Sequence, residues 1–191
     1  MRKPPWKRPR SLKDSTVDST YTCFNPQVRV AGPQDVDALL KLETACFASP
    51  WTRKNFEAEL TGNPFSRLLV VPHPHETDPG FPLIAYLCCW LVFDELRFLN
   101  LAVEENFRKQ GLAKTLIAQS ILKGLEGGCQ RGLLEVRASN HPARNLYQFF
   151  KFKEYATRKS YYTNPDEDAI LMVLEPLASS IRPLPQGQLE R

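Results

Sequence analysis

Asn100-Leu101-Ala102-Val103-Glu104-Glu105-Asn106-Phe107-Arg108-Lys109-Gln110-Gly111-Leu112-Ala113-Lys114 is the stretch on which the fold turns. It begins as the apolar end of a strand, crosses a short polar loop and opens a helix at Gly111. The apolar period changes there: Leu112, Leu116, Ile117, Ile121 and Leu125 recur at three- and four-residue spacing, and Gly127-Gly128 ends the helix. A strand that feeds a helix start brings free backbone N–H groups and the positive end of the helix dipole to one point, which makes an anion site. Gly111 lets a pyrophosphate approach the backbone, and Arg108 and Lys109 add charge. No GxxxxGK[ST] run is present, which excludes a P-loop, and the dinucleotide fingerprint lacks two of its three spaced glycines.

Upstream, Leu83 to Phe93 and Leu96 to Val103 read as two long, mostly buried strands joined by a tight turn at Asp94-Glu95. Pro72 to Pro82 holds four prolines and must be a loop, with Leu68 to Val71 a strand before it. Earlier still, Val28-Arg29-Val30 alternates like a short strand, and Gly32-Pro33 breaks it. A helix follows with Val36, Leu39, Leu40 and Cys46 on one face. Thr52 then caps a second helix carrying Phe56 and Leu60, stopped by Gly62 and Pro64. Downstream, Leu133 to Ala138 is a strand, Asn140 caps a short helix bearing Leu146, Tyr147 and Phe150, and Phe152 to Tyr162 and Ala169 to Glu175 are two final strands. The order predicts one α/β (α+β) domain over 28–176, between a basic Pro-rich arm (1–27) and a flexible tail (177–191).

The 191 residues, 42% hydrophobic and 24% charged, suit one globular domain and exclude general disorder. The Leu83 to Phe93 run is far too short to span a bilayer, so no membrane association is expected. Five cysteines show no CxxC pair or His/Cys ligand spacing, and His73 with His75 supplies too few ligands, so no metal is expected. Adjacent Cys88 and Cys89 should point to opposite sheet faces, which argues against a disulfide framework and for a reducing cytoplasm. The net charge is +4, yet Arg2, Lys3, Lys7, Arg8, Arg10 and Lys13 form an acid-free run, which leaves the rest of the chain mildly acidic. Such an arm could touch RNA or the ribosome.

Arg108-x-x-Gly111-x-Ala113 resembles the [Q/R]-x-x-G-x-[G/A] loop of the GCN5-related N-acetyltransferases (GNAT). Leu134-Glu135-Val136-Arg137-Ala138-Ser139-Asn140, followed by Ala143 and Leu146-Tyr147, is similar to the next block of that family, in its RimI branch of ribosomal-protein-alanine N-acetyltransferases. Phe47 to Trp51, Tyr161-Tyr162 and Glu167-Asp168-Ala169-Ile170 extend the likeness in order, from Val28 to Glu175. The resemblance implies a mixed, mostly antiparallel sheet splayed between the Val103 and Val136 strands, with acetyl-coenzyme A in the opening. It assigns Leu101, Ala102 and Val103 to the acetyl and pantetheine portion, and Arg108, Lys109, Gln110, Gly111, Leu112, Ala113 and Lys114 to the pyrophosphate. Asn140 is a further cofactor contact, Glu135 the proton acceptor and Tyr147 the proton donor. The implied substrate is a protein N-terminus, that of the eighteenth small-subunit ribosomal protein. The alternatives are a broader N-terminal acetyltransferase and a catalytically silent coenzyme-A-binding module. One departure stands out: Phe150-Lys151-Phe152 replaces the family's Leu-Gly-Phe, and a positive φ at Lys151 would cost about 1 kcal/mol relative to glycine.

The chemistry agrees with these assignments. Near pH 7.5 an α-amine of pKa ~7.8 is about one-third neutral, whereas a lysine of pKa ~10.4 is about one-thousandth neutral. A carboxylate such as Glu135 can strip the remaining proton, strand-edge N–H groups near Val103 can polarise a thioester carbonyl, and the Tyr147 hydroxyl can protonate the departing thiolate. Of Tyr161 and Tyr162, strand alternation predicts that one lines the peptide groove while the other packs.

Overall fold

The computed structural model describes residues 26–74 and 81–180. The arm up to residue 25, His75 and the centre of the Pro-rich loop, and the tail from 181 lie outside the described residues. Among the described residues seven strands form one sheet: β1 (Arg29–Val30), β2 (Ser66–Pro72), β3 (Leu83–Val92), β4 (Glu95–Val103), β5 (Arg131–Arg137), β6 (Lys153–Thr163) and β7 (Asp166–Leu174). Their spatial order is β1-β2-β3-β4-β5-β7-β6. Every neighbouring pair is antiparallel except β4 with β5.

Helices α1 (Val36–Cys46) and α2 (Arg53–Glu57) cover one face, and α2 runs on into a π-helical turn, Ala58–Gly62. Thr52 caps α2 as expected, its side chain accepting from the Asn55 N–H. Leu39, Leu42 and Phe56 pack there with Leu68, Val70, Tyr86 and Cys88. Helix α3 (Leu112–Glu126) covers the other face, where Leu116, Ile117 and Ile121 meet Leu69, Leu87 and Cys89. Cys88 and Cys89 thus enter opposite cores, as their adjacency on a strand requires. Helix α4 (His141–Phe149) adds Tyr147, and the residue after it Phe150, to the α3-side core beside Phe98 and Phe152.

Three details differ from expectation. The β3–β4 turn is Phe93-Asp94, and Glu95 already pairs with Val92. Phe93 turns the corner at φ 53 with its ring in solvent, so the hairpin closes one residue earlier than the acidic pair suggested. Leu42, rather than Leu40, shares the fully buried stripe of α1. The folded chain also runs past 176: Leu177–Ser180 makes a 3-10 turn, and Leu177 is fully buried against the α3-side core, so those four residues are not tail. Lys151 sits at φ 67, the strained turn that its place in the sequence implied.

Candidate active site

An extra residue in β4 creates the opening. Cys88 opposes Asn100 while Cys89 opposes Phe98, leaving Leu99 as a bulge. A bulge bends the strand that carries it. The parallel ladder to β5 accordingly ends at Phe98 and Leu134, and residues 99–103 separate from 135–137 with their facing edges unpaired by a strand.

One cavity, about 790 Å³, lies along the β4 end and the start of α3. Leu101, Ala102, Val103, Arg108, Lys109, Gly111, Leu112, Ala113, Lys114 and Asn140 all line it, so ten of the eleven residues expected around the cofactor converge. The side chain of Gln110 stands apart and donates Nε2 to the Asn106 carbonyl at 3.0 Å, bracing the loop. Gly111 caps α3 at φ 91, a left-handed conformation costly for any residue with a Cβ, and a Cβ built there would meet nothing within 4 Å. The first intrahelical bond runs from the Thr115 N–H to the Gly111 carbonyl, which leaves the N–H groups of residues 112–114 without helical partners. Glycine offers no capping side chain, so an anion can take those donors. Lys109, at φ 62, tightens the same loop. Arg108 donates Nε to the Val103 carbonyl at 3.1 Å, which ties the loop to the end of β4.

A second cavity, about 410 Å³, contains Glu135, Tyr147, Asn100, Trp51 and Tyr162. The two cavities share Phe47, Leu101, Asn140 and Ala143 as common walls. Asn140 caps α4 by accepting from the Ala143 N–H at 3.2 Å, which explains its place at this junction. Glu135 Oε1 is taken by Arg158 Nη1 at 2.8 Å, a partner on β6 that sequence reasoning did not supply. Tyr147 is buried, and that burial, reinforced by nearby Tyr162, pushes its hydroxyl up to about 12. Its ring is fixed edge-on to Phe152 at 5.8 Å.

Tyr161 and Tyr162 do not divide between groove and core. Residues between Arg158 and Tyr162 bulge out of the β6–β7 ladder, with Ser160 at φ 46. This breaks the alternation on which that expectation rested. Tyr162 lines the cavity and stacks on the Arg137 guanidinium at 4.1 Å, while Tyr161 stays exposed beneath Arg158 at 4.8 Å. Among the described residues no group of three or more His, Cys, Asp or Glu side chains could hold a metal, and no helix is long and apolar enough to cross a membrane.

The profile of the Acetyltransferase (GNAT) family matches residues 36–152. A Bacillus subtilis protein named putative ribosomal protein bS18-alanine N-acetyltransferase is 37% identical over 139 residues, covering 73% of this chain and 88% of the relative. The crystal structure of the Escherichia coli ribosomal-protein-S18-alanine N-acetyltransferase superposes with a TM-score of 0.70 at 28% identity, covering 78% of this chain and 93% of that one. Arabidopsis thaliana NAA60, solved with acetyl-CoA, shares the fold at a TM-score of 0.69 and 20% identity, over 78% of this chain and 97% of its own. Profile, relatives and fold agree on the reading that the Arg108 loop first suggested: the chain belongs to the GNAT family of acetyltransferases.

Proposed function

We propose that this chain transfers the acetyl group of acetyl-coenzyme A to the α-amine of a protein N-terminus, and that its substrate is the alanine-starting ribosomal protein bS18. The carrying observation is the junction of two cavities at the β4–β5 divergence, one built for an anion-bearing ligand and the other holding a carboxylate and a tyrosine. The names of the relatives support the ribosomal substrate. A ribosomal substrate puts the reaction in the cytoplasm, where the basic arm would strengthen attraction to ribosomal RNA.

The residues present suit acetyl-coenzyme A. The Gly111 loop and the free N–H groups of residues 112–114 would hold the pyrophosphate beside Arg108, Lys109 and Lys114, and the apolar Leu101 to Val103 edge would carry the pantetheine. When bound, acetyl-coenzyme A supplies an acyl thioester. Glu135 takes the ammonium proton at Oε2, directly or through water, because Oε1 is held by Arg158. The unpaired β4 edge polarises the carbonyl. Tyr147 keeps its proton at neutral pH and gives it to the sulfur as the C–S bond breaks, and the second proton shed by the attacking nitrogen, once its bond to carbon has formed, restores the tyrosine.

The test is a panel of short peptides, identical but for the first residue, incubated with acetyl-coenzyme A and read by mass spectrometry. The bS18 reading expects alanine to react fastest. A panel with methionine or acidic starts ahead of alanine would replace it with a broader N-terminal specificity.

A further inference from the structure

Glu43 is a charged residue on the apolar stripe of α1, four positions after Leu39 and seven after Val36, and it is 1% exposed. Its carboxylate accepts from the Trp51 N–H at 2.9 Å, from Asn100 Nδ2 at 3.1 Å and from the Tyr86 hydroxyl. All three donors are neutral. The proposed reaction uses none of these groups, yet Glu43 lines the same cavity as Glu135. The other charges of that cavity are paired: Glu135 with Arg158 at 2.8 Å, and Arg137 with Glu167 at 3.3 Å. The pairs cancel, and among the described residues the cavity is left with the single negative charge of Glu43.

We infer that Glu43 is a positioning residue whose uncompensated charge draws the substrate's N-terminal ammonium into the cavity, while its hydrogen bonds lock Trp51 and Asn100 as the walls that receive it. This rests on the proposed function. A buried anion without a cation partner acts across a low-dielectric cavity with little screening. Glu43 is too buried to touch the ammonium, so it acts through the field and through Asn100 and Trp51.

Other titrating groups near Glu43 do not blur the test. Cys46 on α1 and Tyr86 and Cys88 on β3 are all raised, by burial first, and so are Tyr147 and Tyr162 across the cavity. These groups therefore keep their protons between pH 6.5 and 8.5. Arg137, and Arg108 beyond Cys46, stay cationic. Glu135 and Glu104 are common to every protein compared, so they cancel in a ratio.

The experiment measures peptide affinity by calorimetry with coenzyme A present, for an alanine-starting peptide and for its des-amino analogue, in which a propionyl group replaces the alanyl residue. At pH 6.5 the native protein should prefer the amine-bearing peptide by about tenfold, the effect of one weakly screened charge. That preference should fade toward pH 9 as the amine, of pKa ~7.8, loses its proton. Glu43→Gln keeps the shape and removes the charge, so it should collapse the preference; loosened hydrogen bonds to Trp51 and Asn100 weaken both peptides alike and drop out of the ratio. Glu43→Asp keeps the charge and should retain the preference, and it carries the test if the glutamine variant fails to fold. A native protein with no preference at pH 6.5, or a folded Glu43→Gln variant that keeps it, would overturn the inference. Binding is read without turnover, so a failure of acetyl transfer and a failure of this inference give different results.

Discussion

Gly111→Val separates what the glycine does for the fold from what it does for the ligand. At φ 91 a β-branched residue is strained by about 2 kcal/mol, and a Cβ built there meets nothing within 4 Å, so backbone strain is the main cost to the protein alone. A domain of this size shifts its midpoint by roughly 2–4 °C per kcal/mol, which predicts a fall of roughly 4–8 °C and a protein that still folds. The open space beside Gly111 is where the pyrophosphate belongs, so the valine should weaken acetyl-coenzyme A binding at least tenfold, about 1.4 kcal/mol. At a ligand concentration about 100 times the native Kd, binding adds ~2.7 kcal/mol to the native protein, and a tenfold weaker variant gains only about half of that. Thermal scans with and without ligand, beside calorimetry at 25 °C, report both numbers. A folded variant with the full ligand-induced shift and unchanged affinity would refute the loop assignment.

Glu135→Gln should lower the acetylation rate by roughly 10²–10⁴ at neutral pH and regain part of it as pH rises and more amine arrives neutral; rate profiles from about pH 6.5 to 9.5 check this. Tyr147→Phe should show no such recovery, because burial holds the native hydroxyl protonated up to about 12 and alkali supplies no substitute donor; parallel profiles would mean the two roles are misassigned. Lys151→Gly should relieve the strain at φ 67 and lose the Nζ bond to the Ser179 carbonyl, for a net gain of about 0.5 kcal/mol in thermal unfolding; a clear loss would refute that account of the turn. Asp35 is held below its ordinary range chiefly by its hydrogen bonds from Arg29, with the Gly32 N–H adding to them. A depressed carboxylate stabilises the fold above its unfolded value near 3.9 and loses that contribution as pH falls through the folded value. Asp35→Asn should therefore cost about 1–2 kcal/mol at pH 6 and progressively less below pH 4 in urea unfolding.

Periodicity placed α3, β3, β4 and β5 because their apolar residues repeat at the spacing that the buried face demands. The Gly111 loop was legible because a glycine at a strand-to-helix corner is a local signal, and ten of its eleven expected ligand residues line one cavity. What escaped depends on contacts distant in sequence. The Arg158 partner of Glu135 lies on the far side of β7 in the sheet order, and its position depends on a β6 irregularity that no pattern announces. Leu99 looks like any other apolar strand residue, yet as a bulge it opens the site. Glu43 did leave a trace, a carboxylate at helical spacing from Val36 and Leu39, but its donors Tyr86 and Asn100 sit on the second and third strands after it and only the folded sheet brings them together. The same holds for Leu177, which with Ala178 and Ser179 read as tail until its side chain is seen filling the α3-side core.

The site, on this reading, works on α-amines that are already partly neutral. The direct measurement is a competition in one tube between two peptides of the same sequence, each with one lysine. One starts with a free alanine and the other is N-terminally blocked, and acetylation is followed by mass spectrometry near pH 7.5. The free α-amine should be labelled at least a hundredfold faster than either lysine, following the difference in neutral fraction. Faster labelling of the lysine in the blocked peptide would contradict it.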